Sequence, residues 1–182
     1  GYNKDRFTKE ANAVFSQDDI LLYGAHGPCR YLGLEERRVN GKRQAFYVLE
    51  PLARPETRFL IPTENPAAVG KIRRLPSRPE VERMLASERA RAYSWKADEN
   101  KRKNLYRALL SGTDRAGLVS MICSVECYRL FLREQGRTLH QCDENFLRDA
   151  QRLIAQELAM ALDLPPDQVG PWVREQMGDM SA

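Results

Sequence analysis

The chain is 182 residues long, 42% hydrophobic and 30% charged, with a formal net charge of +4, which leaves room for one domain or two small ones. No apolar run approaches the ~20 residues of a membrane span, and the start, GYNKDRFTKEANAVF, lacks the apolar centre of a secretory signal. Cys29, Cys123, Cys127 and Cys142 are too few and too dispersed for a disulfide framework, which points to a reducing, cytoplasmic setting. Residues 1–12 read as a flexible N-terminal arm. Residues 13–75 then read as β structure. DDILLY is a short apolar run that ends in the turn GAHG. CRYLGLEERRV and KRQAFYVLEP flank Asn40-Gly41, a hairpin signal because a type I′ turn needs positive φ at both positions. TRFLIP supplies another strand, and residues 71–75 a further one. Short, tightly connected strands of this kind predict a small barrel.

The pattern changes at PSRPEVERML. Ser77 and Glu80 fit a capping box with Pro79 in the first turn. Val81, Met84, Leu85 and Ala92 recur at helical spacing, predicting one helix over 78–93. A second helix is expected from Asp98 to Leu110 with Leu105 and Leu109 on one face, closed by Ser111-Gly112 with the glycine as a left-handed C-cap. RAGLVSMICSVECYRLFLRE is the most apolar helix and is expected at the centre of the helical core, with Gly136-Arg137 ending the segment. DENFLRDAQRLIAQELAMAL follows with Phe146, Ala150, Leu153, Leu158 and Ala161 in register. Leu164-Pro165-Pro166 stops it, and DQVGPWVREQM adds a short terminal helix. The fold class is therefore α+β: a β module to residue 75 and an all-helical module over 76–182.

Charge is distributed unevenly. Residues 71–107 hold twelve Lys/Arg against five Asp/Glu, whereas residues 138–182 hold three against eight. A basic segment of this size attracts polyanions over a Debye length, although solvated basic helices are common. Within it, RAYSWKADENKRKN sets Trp95 against Arg91, Lys96, Lys101, Arg102 and Lys103. Two readings are open. The indole anchors the helical core, or it wedges at a base step while the flanking cations hold phosphates. Sequence pattern alone does not decide between them.

Catalytic chemistry finds little support. His26 and His140 lie in different modules, outside any nucleophile or metal motif, and GAHGPC is not a phosphate loop. His26 is read as a turn residue. Cys123 and Cys127 at i, i+4 with His140 and Cys142 have the chemistry of a zinc set, but a helix interior is a poor zinc knuckle and free cysteines are often simply buried. No catalytic residue, cofactor or metal ligand is assigned.

Taken in order, these segments resemble the CarD/CdnL family of bacterial RNA polymerase-binding transcription regulators. The family's first domain is shared with the polymerase-interaction module of the transcription-repair coupling factor. FSQDDILLYGAHGPCRYLGLEERRVNGKRQAFYVLEP is similar to its opening pattern and FLIPTEN to its Ile/Val-Pro strand. SWKADENKRKNLYRALLSGT resembles its tryptophan and basic run, and LHQCDENFLRDAQRLIAQELA its last helix, so that the likeness spans about Phe15 to Leu164. Gly24, Pro28-Cys29 and Thr113 depart from the family pattern. The resemblance implies a Tudor-like β-barrel that binds the polymerase β-subunit lobe, followed by a compact helical domain that binds upstream promoter DNA. It implies that Arg37 contacts polymerase; at the position of a second such arginine the alignment puts Leu60, and Arg58, two residues earlier on the same strand face, is taken as the contact. It also implies that Trp95 wedges into the minor groove at the edge of the melted bubble, with Arg91, Lys96, Lys101, Arg102 and Lys103 as the basic surround. The expected function is stabilisation of the open promoter complex, without catalysis, membrane or small-molecule substrate. The alternative is an adaptor on polymerase that has lost DNA contact.

Overall fold

The computed structural model describes residues 14–178; the arm expected over residues 1–12 lies outside the described residues. The chain divides into two compact units, one ending at Leu75 and the other beginning at Pro76.

The first unit is an antiparallel five-stranded sheet in the order β4-β3-β2-β1-β5, with β1 Ile20–Tyr23, β2 Pro28–Val39, β3 Lys42–Pro51, β4 Phe59–Pro62 and β5 Ile72–Arg74. A 3-10 turn over Gly24–His26 follows β1, and the short helix α1, Pro66–Val69, precedes β5. β4 and β5 are its edges, and this open sheet fits the Tudor-like fold. Side chains alternate across a strand, so one face collects Leu21, Cys29, Tyr31, Tyr47, Leu49 and Ile61 into a buried cluster with Phe15. Those residues face one another across the ladder: Leu21 opposite Cys29, Tyr31 opposite Leu49, Tyr47 opposite Ile61. Phe15 closes the cluster edge-on against Tyr31 and Tyr47, at centroid distances of 5.5 and 5.4 Å. Full burial of a side chain such as Leu49 contributes about 1.5–3 kcal/mol.

A bulge between Tyr31 and Gly33 shifts the β2–β3 register, with Gly33 at φ 123°. It lets the strand bend over the small core. Beyond the bulge the hairpin runs out to Asn40 (φ 53°) and Gly41 (φ 78°), the positive-φ pair a type I′ turn requires.

The second unit is helical: α2 Arg78–Ala86, α3 Glu88–Arg91, α4 Glu99–Ser111, α5 Arg115–Glu134, α6 Gln141–Leu162 and α7 Pro166–Gly178. The expected capping box is present in full, Ser77 Oγ accepting from Glu80 N–H and Glu80 accepting from Ser77 N–H. The single helix expected over 78–93 is instead two. Ser87 is extended (φ −66°, ψ 150°), and its hydroxyl caps α3 by accepting from Ala90 N–H while donating back to Met84 C=O. A serine that satisfies both ends this way competes with helix continuation. The core joins Leu85, Leu109, Leu118, Val125, Phe146, Leu147 and Leu158 with other residues of α2 to α7. α5 contributes Leu118, Val119, Met121, Val125 and Leu132 to it, consistent with its apolar sequence.

Two other details differ from expectation. Gly112 ends α4 at φ −90°, ψ −162°, not left-handed; a Cβ there would sit 2.8 Å from the Ala108 carbonyl oxygen, so glycine serves close approach. The left-handed break is Gly136, φ 69°. In α4 the buried face is Arg102, Tyr106 and Leu109, whereas Leu105 is exposed.

Candidate nucleic-acid interface

Trp95 sits in the segment between α3 and α4. Ala92 leaves helical geometry at ψ 50°, and Asp98 starts α4 by accepting from Lys101 N–H at 3.0 Å. The intervening residues have no helical ladder of their own, so side chains must hold them. Trp95 is half-buried and packs against the helical core. Its indole stacks on Tyr128 of α5, centroids 3.8 Å apart and planes 13° from parallel. The Arg102 guanidinium lies 4.3 Å from the indole centroid, within cation–π range.

Arg102 is the hub. Its Nε and Nη2 donate to Asp143 Oδ1 and Oδ2 at 3.0 and 3.1 Å, a bidentate pair. Its Nη1 donates to the carbonyls of Lys96 and Ala97, both at 3.0 Å. Tyr106 Oη donates to Asp143 Oδ1 at 2.6 Å, and its ring stacks on Phe146 at 3.9 Å. Burial works to lower the Arg102 pKa, but the bonds and charge of Asp143 raise it on balance, so the guanidinium stays charged. Burial foremost, then Asp143, pushes the Tyr106 phenol well above its usual range, so it remains a donor.

This geometry corrects one expected DNA contact. Arg102 is 4% exposed and its donors are engaged inside the protein, so it does not meet a phosphate. A buried guanidinium without Asp143 would be heavily penalised, which is why residue 102 turns inward while its neighbours do not. Lys96 and Lys101 are exposed, Lys96 Nζ donating to Ser94 Oγ at 3.3 Å. Lys103 pairs along the helix with Glu99 at 3.3 Å. Arg91 is half-buried and donates through Nη2 to the Met177 carbonyl at 3.4 Å. An aromatic row continues from Tyr128 to the half-exposed Phe131, 5.8 Å away. Tyr128 and Asp143 were not singled out from sequence. Asp143 is one of two acidic residues in the first turn of α6 and Tyr128 one position in a mostly apolar helix, so nothing local marks either.

In the first unit, Arg37 lies exposed on β2 near the hairpin tip, opposite Gln44. It bonds Glu35, two positions back on the same strand face, Nε to Oε1 at 3.2 Å. Arg58 is exposed and immediately precedes β4. His26 is a turn residue, as read, but its ring lies 4.3 Å from Phe59 and 5.7 Å from Tyr23. The residue is exposed overall, but partial desolvation of the ring foremost, then the charges of Arg54 and Lys71, lowers its pKa.

Among the described residues no three His, Cys, Asp or Glu side chains gather as a metal site. Cys142 Sγ meets Glu99 Oε1 at 3.6 Å. Cys123 lines a cavity of about 410 Å³ among α5, α6 and α7, where burial pushes its thiol up to about 11 and keeps it protonated at neutral pH. No helix among the described residues is long and apolar enough to cross a membrane.

The architecture is thus a small Tudor-like sheet module followed by a helical module that displays an aromatic residue in a basic segment. Residues 15–75 match the family model of the CarD-like/TRCF RID domain, a likeness confined to the first unit. The match supports an RNA polymerase-interacting, transcription-related protein. No curated protein matches the chain.

Proposed function

We propose that this protein is a cytoplasmic bacterial transcription regulator without catalytic activity. It docks on the β-subunit lobe of RNA polymerase through its sheet module and holds upstream promoter DNA through its helical module. Arg37 and Arg58 face the polymerase. Lys96 and Lys101 hold phosphates, with Lys103 and Arg91 at the margins, and Trp95 wedges into the minor groove at the edge of the melted region. Binding the opened junction more tightly than closed duplex shifts the equilibrium toward the open complex by that difference in affinity.

The observation that carries the reading is the family match over residues 15–75. The placement of half-buried Trp95 next to exposed Lys96, with exposed Lys101 in the first turn of α4, supports the DNA half. The decisive experiment is the lifetime of the open complex formed by native polymerase, with and without the protein. Wild type lengthens it, and Trp95→Ala abolishes most of the effect while leaving polymerase binding intact. Unchanged activity of Trp95→Ala removes the wedge and leaves a polymerase adaptor. Polymerase binding that survives Arg37→Glu removes the hairpin contact.

A further inference from the structure

We propose that Arg102 is a positioning residue that, together with Tyr128, clamps both faces of Trp95 so that the indole meets DNA by its edge alone. The inference rests on the wedge reading above and concerns how the wedge is held. Tyr128 lies parallel to the indole at 3.8 Å and fills one face. A guanidinium 4.3 Å over the same ring system has no room there and occupies the other. A half-buried indole with both faces covered has its edge left to offer. An edge enters a groove or a base step, but it gives no platform on which an unpaired base can stack. The partner this selects is the duplex side of a junction rather than free single strand.

The clamp is rigid because one guanidinium makes every connection. It covers the ring, donates a bidentate pair to Asp143 on α6, and donates to the Lys96 and Ala97 carbonyls, those of the two residues that follow Trp95. Tyr106 fixes Asp143 in turn. Lysine at this position keeps the charge but has neither the planar fork nor the flat surface to do all of this at once.

The test uses the full chain carrying Trp172→Phe, so that Trp95 is its one remaining tryptophan. Arg102→Lys is expected to keep the wild-type helical circular dichroism and to raise acrylamide quenching of Trp95 several-fold. It should shorten the open-complex lifetime most of the way to that of Trp95→Ala, and in the double variant add nothing to Trp95→Ala. Tyr128→Leu, which disturbs no buried charge, should do the same from the other face and decides the matter if Arg102→Lys does not fold. Wild-type quenching and lifetime in the folded Arg102→Lys and Tyr128→Leu variants would overturn the clamp. So would strong quenching of wild-type Trp95 by a single-stranded oligonucleotide, which requires an open face. If Trp95→Ala itself leaves the lifetime unchanged the wedge reading fails, whereas the acrylamide arm still reports whether Arg102 holds the indole.

Discussion

Glu157→Ala is the severest single test of what holds the helical unit together. Glu157 Oε2 and Oε1 accept from Arg115 Nε and Nη2, both at 2.8 Å, and the two side chains are 3% and 7% exposed. Arg115 is the first residue of α5, where the positive end of the helix dipole already disfavours a cation. Removing the carboxylate takes the bidentate partner from a buried guanidinium that already sits at that end of the dipole and also donates to the Gly112 carbonyl at 3.2 Å. Breaking a buried pair from one side costs about 3–5 kcal/mol, a large share of the roughly 5–15 kcal/mol that holds a domain folded. At about 4 °C per kcal/mol for a unit of this size, the midpoint should fall by about 12–20 °C. Urea and thermal unfolding followed by far-UV circular dichroism report mainly this unit, since it carries the long helices. The double variant Arg115→Met/Glu157→Leu should recover most of the loss, because an apolar pair carries no desolvation penalty. A single variant within about 1 kcal/mol of wild type would make the pair behave like a surface bridge. A double variant as unstable as the single would place the loss in packing rather than in a buried charge deprived of its bidentate partner. Either result refutes the reasoning.

Gly112→Ala should destabilise the same unit by about 1–3 kcal/mol through overpacking, because the new Cβ meets the Ala108 carbonyl oxygen at 2.8 Å while the backbone angles themselves suit alanine; equal urea midpoints for the two proteins would contradict this. His26 gives the sheet unit an acid-sensitive element. Its folded pKa is lowered by partial desolvation of the ring foremost and by Arg54 and Lys71, so the unfolded chain binds the proton more readily. The stability it contributes is complete above its ordinary value of 6.5 and is lost as pH falls toward the depressed folded value. His26→Phe, which keeps a ring against Phe59, should flatten the decline of sheet-unit stability between about pH 7.5 and pH 5; identical pH profiles would refute the assignment.

The features that sequence predicted well are those encoded within a few residues. Asn40-Gly41 specifies its turn because both residues tolerate positive φ. Ser77 and Glu80 specify their cap because the two groups are one helical turn apart. The apolar stretch 115–134 specifies a core helix because hydrophobicity is read position by position. Ser87 failed for a related reason. The spacing of Val81, Leu85 and Ala92 runs through it without interruption, and only its hydroxyl bonds to Ala90 N–H and Met84 C=O show the break. At Gly112, sequence identified the residue and misassigned its use, since close approach and positive φ leave the same mark.

Arg102 was illegible for a different reason: its partner is 41 positions away, and nothing local separates it from Lys101 or Lys103. The signal available was the spacing Arg102, Tyr106, Leu109, which places one polar and two ring or aliphatic groups on a single helical face. Pairing Leu109, which is buried as expected, with Leu105 rather than Tyr106 put that end of the face one position off. The consequence reaches the charge argument as well. The surplus of basic residues over 71–107 and of acidic ones over 138–182 looks from composition like an external field. Part of it is spent internally, Asp143 on Arg102 across the two segments, while Glu99 on Lys103 and Asp114 on Arg89 neutralise further cations nearby. Of the five cations set against Trp95 in the sequence, Lys96 and Lys101 are the exposed ones. A DNA contact built on so few charges predicts a shallow salt dependence, with slope set by about two phosphates. On the proposed reading, preference for a junction then comes from the shape of the indole edge rather than from the charge of the segment around it.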